Sequence, residues 1–399
     1  MAGNGTPVTA GDRWLLPDGV EELLPAGAAR AESIRRDLLD LYQRWGYELV
    51  MPPLLEYTES LLIGLGADLD LQTFKVTDQL SGRSLGIRPD ITPQTARMDA
   101  HSLRREETTR LCYAGSVLHT RPRSPFASRS PIQLGCELYG AAVVDADIEI
   151  VCLMLETLET AGLRKITLDL GHVGIFRSLM GELDLPDEAQ RALFEALQEK
   201  SAAAMDDLLA TLSLSDEWRV VLARLATLNG GIEVLDEAAD VLAARAPEVI
   251  KAIEQLRQVA SVVQQRCGLV EIHIDLCELH GYGYHTGLVF AAYAPGHGEA
   301  VANGGRYDDI GAAFGRARPA TGFNTDIKTL LRLQDQQITP ALCGIFVPAE
   351  LVGSAWSEIC RLRAAGERVV VGLPGQPPAV DCDRELGGGP GTWSIKHLV

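Results

Sequence analysis

Several residues along this chain have the types and spacing to do chemistry. Glu137 closes an apolar run, Gln133-Leu134-Gly135-Cys136, where a carboxylate is either a solvated face or a buried functional acid. The pair Gly304-Gly305, followed by Arg306 and Tyr307, allows backbone to approach a ligand closely. It is not a phosphate loop, because GK[ST] and a correctly spaced helix are missing. His119, His280 and His285 suggest a metal triad, but no ligand-spacing rule supports one, and no metal is expected. Tyr282 and Tyr284 alternate in an expected strand, so one of them packs in the core. The 8 cysteines are scattered without a CxxC pair and read as small buried hydrophobes in a reducing compartment. No cofactor is expected.

The elements that must position these residues alternate between helix and strand. Ile34, Leu38, Leu39, Tyr42 and Trp45 recur at helical spacing, with Gly46 as the residue that ends the helix. Tyr47 to Pro53 reads as a short strand stopped by two prolines. A helix begins at Thr92 as N-cap with Pro93 at its first position. Residues 109–120 and 129–140 read as two antiparallel strands. Their connection is Pro-rich and holds Arg121, Arg123 and Arg129, which suits a mobile surface loop or a partner contact. Residues 146–162 form an amphipathic helix, and KITLDLG a strand. From 176 to 268 the chain is rich in Ala, Leu, Glu and Gln with no strand signal. Strands resume at VEIHIDL, GLVFAAYAPG and EAVANGGRY. After Pro340 come CGIFVPA, a helix near 350–365 and RVVVGLP, a small α/β piece.

Composition narrows the function classes. Apolar content of 46% and charged content of 23% are ordinary for a soluble globular protein. No apolar run is long enough to span a membrane, and the polar N-terminus does not read as a signal peptide. A cytoplasmic location is expected. The net charge of −18 disfavours nucleic-acid binding, which gains affinity from cations that displace phosphate counterions.

The stretch from Leu111 to Glu137 resembles motif 2 of the class II histidyl-tRNA synthetases, register for register. LGIRPDITPQTAR resembles their LRPEGT block. LHGYGYHTGLVF resembles their RGLDYYNRTVF block, and residues 302–333 their motif 3 with its approach. The resemblance implies an α+β fold, a class II synthetase-like antiparallel sheet flanked by helices. Residues 1–175 would be the first part of that core, 176–268 an inserted helical subdomain, 269–335 the second part, and 336–399 a short C-terminal α/β remnant. It also implies a histidine-binding set. Glu137 and Asp90 match acidic positions that hold the amino-acid ammonium, with Gln133 and Thr92 beside them. Tyr284, His285 and Tyr307 match the aromatic positions around the imidazole, and Gly304 and Gly305 give close backbone. Charge-assisted hydrogen bonds contribute about 1.5–3 kcal/mol each, so two or three suffice for micromolar binding of a small zwitterion.

Four departures set the expected function. His119, His280 and Thr329 stand where the synthetases carry catalytic arginines, and Lys328 replaces a glutamate. Each such electrostatic group is worth roughly 2.7–4 kcal/mol of transition-state stabilisation. Histidine is mostly neutral near pH 7 and lacks arginine's fork of donors. Activation of histidine by ATP is therefore expected to be lost, leaving no catalytic residue. The GYGYHTG segment at 281–287 and the short C-terminal piece resemble the ATP phosphoribosyltransferase regulatory subunits. That family implies a non-enzymatic chain in histidine biosynthesis. Its partner is the short-form catalytic subunit, which it activates and places under feedback inhibition by histidine, an allosteric ligand. A homodimer through residues 28–53 within a hetero-octamer is implied, with no tRNA and no membrane. Two readings stay open beside it: an active synthetase-like aminoacyl-transfer enzyme, and a scaffold that binds no ligand.

Overall fold

The computed structural model describes residues 14–63, 67–122, 124, 127–183, 185–242, 247–268, 270–277, 284–334, 344–375 and 382–398. The chain divides into two compact units, Met1–Gln334 and Asp335–Val399.

The first unit is built on a nine-stranded sheet. Its order is Glu48–Leu49, Thr109–Ser116, Ile132–Tyr139, Ala320–Asp326, Ala300–Arg306, Leu288–Tyr293, Ile166–His172, Val270–Asp275 and Asn229–Gly230. The expected antiparallel sheet is present through its middle. Two pairings depart from it: Glu48–Leu49 runs parallel to Thr109–Ser116, and Ile166–His172 runs parallel to Val270–Asp275. The two motif 2 strands run over Thr109–Ser116 and Ile132–Tyr139, shorter than 109–120 and 129–140, because Pro131 has no N–H to donate; the pairing continues beyond them only through Val117 N–H to the Pro131 carbonyl and His119 N–H to the Arg129 carbonyl.

The Pro25–Arg44 helix starts on a proline, whose missing N–H costs nothing in the first turn. It buries Ala31, Ile34, Leu38, Leu41 and Tyr42. It ends at Trp45, and Gly46 takes the left-handed φ of 85° that a side chain would resist. The sequence pattern predicts that the helix over 146–162, which the structure forms as Val144–Thr160, is amphipathic. Instead, Ala146, Ile148, Ile150, Val151, Cys152, Leu153 and Met154 are all buried, because other helices as well as the sheet enclose it. Tyr42 meets Phe323 edge-on at 6.2 Å on this covered face. Strand alternation then turns Gly322 and Asn324 to the opposite face, where the site lies.

Among the described residues, six helices run between Val173 and Arg266. Among them, Asn229–Gly230 forms a two-residue strand, too short to show any alternation in the sequence. Two further elements had no clear sequence signal. Leu55–Tyr57, Ser84–Ile87 and Phe74–Thr77 make a separate three-stranded sheet. Met98–Leu103 is a π-helical turn that ends at Arg104 with φ 51°. Among the described residues no helix is long and apolar enough to cross a membrane.

The second unit has a four-stranded sheet. Ile345–Val347 lies between Val369–Val371 and Arg384–Gly387, parallel to both, and Ser394–His397 closes the edge. The Trp356–Ala364 helix adds Ile359 and Leu362 to a core of Ile345, Val347 and Leu386.

Candidate functional site

A cavity of about 270 Å³ opens on the face of the large sheet away from the Val144–Thr160 helix. Of the residues proposed from sequence, Asp90, Thr92, Glu137, Tyr284, His285, Gly304 and Tyr307 line it. Gln133 stands just behind. Its Nε2 donates to Asp90 Oδ1 at 2.9 Å, and its Oε1 accepts from the Ile91 N–H at 2.9 Å. One amide side chain thereby sets both the Asp90 carboxylate and the backbone that leads into the next helix.

That helix, Thr92–Arg97, does not use Thr92 as its cap. Ile91 takes the N-cap position, and the Thr92 hydroxyl donates to Glu137 Oε1 at 2.8 Å instead. Tyr113 donates to the same oxygen at 3.1 Å, and Tyr307 donates to Oε2. Glu137 is 1% exposed. Burial outweighs these donors and pushes its carboxyl up to about 8, so near neutrality it holds a proton.

Glycines make the space. Gly322 lies between Glu137 and Gly305 in the sheet register. A Cβ on Gly322 would strike the Glu137 carboxylate, and one on Gly305 would strike the His285 ring at 2.6 Å. Gly304 faces the other way, where a Cβ would strike the Gly322 carbonyl and the Phe290 ring. Of the predicted pair, Gly305 therefore keeps the site face clear, while Gly304 allows two strands to approach.

Tyr284 and Tyr307 stack with ring centroids 5.1 Å apart and planes 27° apart. His285 meets Tyr284 edge-on at 5.3 Å. Among the described residues the buried Tyr284 hydroxyl has no hydrogen-bond partner. Asn303 and Asn324 complete the wall from opposite positions on neighbouring strands. Sequence reasoning missed both, together with Gly322. Their motif segments were recognised, but the cross-strand register that brings them together is not visible in one sequence.

Asn303 and Asn324 also line a second cavity of about 600 Å³, which holds His119 and Thr329. Neither stands in for an arginine fork. His119 is buried, with Nε2 at 2.8 Å from the Pro89 carbonyl. Thr329 donates its hydroxyl to Asp326 at 3.0 Å, within the cap of the Ile327–Leu333 helix. Lys328 donates to the Glu21 carbonyl at 3.1 Å and to Ser130 Oγ at 2.9 Å, and burial lowers its pKa. His280, Tyr282 and Arg123 lie outside the described residues. Arg129 is tied down, donating to the Asp18 and His119 carbonyls at 2.9 and 3.0 Å. No metal-ligand cluster occurs among the described residues.

Residues 19–330 match the histidyl-tRNA synthetase family, and residues 342–396 match the C-terminal domain of the ATP phosphoribosyltransferase subunit HisZ. An ATP phosphoribosyltransferase regulatory subunit from Thioalkalivibrio sulfidiphilus is 54% identical over 382 residues, 95% of this chain and 97% of that one. The chain belongs to the ATP phosphoribosyltransferase regulatory subunit family. The expected regulatory, non-catalytic role agrees with the names of these relatives. A solved ATP phosphoribosyltransferase regulatory subunit/histidyl-tRNA synthetase from Bacillus halodurans has a TM-score of 0.81 at 29% identity, covering 92% of this chain and 95% of that one. A chain from an ATP phosphoribosyl transferase complex of Thermotoga maritima shares the fold, with a TM-score of 0.58 at 19% identity over 74% of this chain and 96% of that one. In this chain the synthetase-like core is present while Thr329 closes a helix cap and Lys328 ties Ser130 to the Glu21 backbone.

Proposed function

We propose that this chain assembles with a short-form ATP phosphoribosyltransferase catalytic subunit, raises its activity, and makes it subject to feedback inhibition by histidine bound in the Glu137 cavity. The observation that carries this reading is the convergence in one cavity of two carboxyl groups, a stacked tyrosine pair and a Tyr284 hydroxyl that has no hydrogen-bond partner among the described residues.

The physics divides the roles of the two acids. Glu137 is wholly buried, already receives three hydroxyls and sits at the hydroxyl end of Tyr307. A full ammonium there faces a large desolvation cost. An imidazole N–H donating to Glu137, with its ring against Tyr284 and Tyr307, suits that depth better. Asp90 is half-buried and oriented by Gln133, and it takes the ammonium. This replaces the assignment of the ammonium to Glu137 that the motif alone suggests.

Inhibition at a distance requires only that histidine bind the inhibited assembly more tightly than the active one. The reading extends to a homodimer through residues 28–53, a hetero-octamer with the catalytic subunit, and a place in cytoplasmic histidine biosynthesis. It also keeps 176–268 as an insertion between core parts 1–175 and 269–335, with 336–399 apart.

The test is reconstitution. The catalytic subunit is assayed alone, with this chain, and with this chain under a histidine titration. The reading expects a rise in rate and then a histidine-dependent fall. No rise rules out activation. A rise that histidine leaves untouched, with no histidine binding to the chain, leaves only the ligand-free scaffold.

A further inference from the structure

Strand register sets two carboxamides at one end of the Glu137 cavity. On the site face, Glu137, Gly322 and Gly305 form one row across three strands. Two residues along those strands, Gly135, Asn324 and Asn303 form the next row. The strand rise separates the two rows by about 6.5–7 Å. Both asparagines are half-buried, and both line the cavity of about 270 Å³ as well as the larger one of about 600 Å³. The Gln133 amide is spent on Asp90 and on the Ile91 N–H. Among the described residues, no hydrogen bond ties down the carboxamide of Asn303 or of Asn324.

Charge decides what these amides meet. Asp90 and Glu137 bring two carboxyl groups to the smaller cavity, and no arginine or lysine stands among the described residues that line it. An amino acid brings an ammonium and a carboxylate together. The ammonium has an acid to face, whereas the carboxylate must be received by neutral donors. The Thr92, Tyr113 and Tyr307 hydroxyls are already turned to Glu137. The Tyr284 hydroxyl has one O–H for two carboxylate oxygens. Each carboxamide has two N–H donors, so the facing pair can serve both oxygens. One row further on, Asp326 stands opposite Gln133, and its carboxylate accepts from the Ile132, Lys328 and Thr329 N–H groups. That row offers a like charge, so the asparagine row is where a ligand carboxylate comes to rest.

We propose that Asn303 and Asn324 together receive the α-carboxylate of the ligand in this cavity, and so select an amino acid over an amine or alcohol with the same side chain. The inference rests on the histidine reading given above and adds the groups that recognise its carboxylate. The spacing suits it: with the imidazole at Glu137, the carboxylate reaches the next row while the ammonium lies against Asp90. Half-burial suits it too, because the carboxylate keeps part of its hydration and avoids the full cost of burying a charge. A hydrogen bond to an ionised acceptor is stronger than one between neutral groups, so neutral amides suffice for this task. The carboxylate then becomes the end of the ligand nearest the larger cavity.

The test measures, by calorimetry on the full chain, the binding of histidine and of histidinol, whose hydroxymethyl group replaces the carboxylate. The parent is expected to hold histidine at least about tenfold more tightly, the effect of one hydrogen bond to a charged group. Asn303→Ala and Asn324→Ala should each weaken histidine about tenfold and leave histidinol within about twofold. Asn324→Asp keeps the volume, sets a like charge against the carboxylate, and should reverse the preference. A parallel loss of both ligands, the mark of a packing defect, overturns the proposal, as does an undiminished preference for histidine in the folded variants. Equal parent affinities for the two ligands overturn it without any variant. In each of these cases histidine binding by the parent leaves the histidine reading standing. A parent chain that binds neither ligand overturns that reading and this inference with it.

Discussion

The Thr92 hydroxyl donates to Glu137 at 2.8 Å, joining the first residue of a helix to the middle of the large sheet. With Tyr113 and Tyr307 on the same carboxyl group, it makes Glu137 the point where helix, sheet and cavity meet.

Stability should therefore depend on pH through Glu137. Its carboxyl rises from 4.5 to about 8 because burial disfavours the charge. The folded chain holds a proton that the unfolded chain releases within that window. The stabilisation is complete below the unfolded value and is lost as pH rises through about 8, at close to 1.4 kcal/mol per pH unit in mid-window. Glu137→Gln cannot titrate. Denaturant midpoints measured from about pH 5 to pH 9 should fall more steeply for the parent than for the variant. Parallel curves refute this.

Histidine binding should respond differently to changes at the two acids. Asp90→Asn removes the charge proposed to face the ammonium and should weaken binding tenfold or more, about 1.4 kcal/mol. Binding of a cationic or proton-donating ligand favours ionised Glu137, so the parent should release a proton on binding near pH 7, and Glu137→Gln should not. Calorimetry in buffers of different ionisation enthalpy separates the two. Unchanged affinity in a folded Asp90→Asn chain means that the ammonium has been misplaced.

The assembly should obey reciprocity. If histidine and phosphoribosyl pyrophosphate favour opposite states of the complex, each must weaken the other's binding by the same factor. A histidine titration with and without phosphoribosyl pyrophosphate measures it. Equal affinities alongside clear inhibition are incompatible with two linked states.

Arg306 follows the glycine pair directly and donates to Asp147 at 2.9 Å from a site where both are buried. Asp147→Ala strands a buried guanidinium and should cost about 3–5 kcal/mol in denaturant titrations. A loss below about 1 kcal/mol would show that Asp308, 3.2 Å from Arg306, neutralises it unaided.

The chain alone should not support histidine-dependent exchange of pyrophosphate into ATP. Thr329 and His119 stand at two of the arginine positions, and neither presents a guanidinium to the larger cavity. Exchange above a protein-free control contradicts this.

Much of the site could be read in the sequence because its residues lie in ungapped motifs. Asp90, Thr92, Glu137, Tyr284 and Tyr307 converge as their order suggests. The misread details share a cause. Thr92 looks like a cap because its neighbours are local, whereas its actual partners lie 21 and 45 residues away. Gly322, Asn303 and Asn324 matter through register, which is decided between strands. The Leu55–Tyr57, Ser84–Ile87 and Phe74–Thr77 strands are too short to show alternation. The Val144–Thr160 helix reads as one-sided from its own pattern, since the helices that cover its other side belong to distant parts of the chain.

The three positions that have left the synthetase pattern within the described residues now hold other parts of the fold together. Thr329 closes a helix cap, Lys328 pins Ser130 to the Glu21 backbone, and His119 meets the Pro89 carbonyl. Restoring an arginine at either Thr329 or His119 breaks a contact that the chain uses today, before any catalytic gain can accrue. A change made at these positions for chemistry is therefore also a change to the architecture.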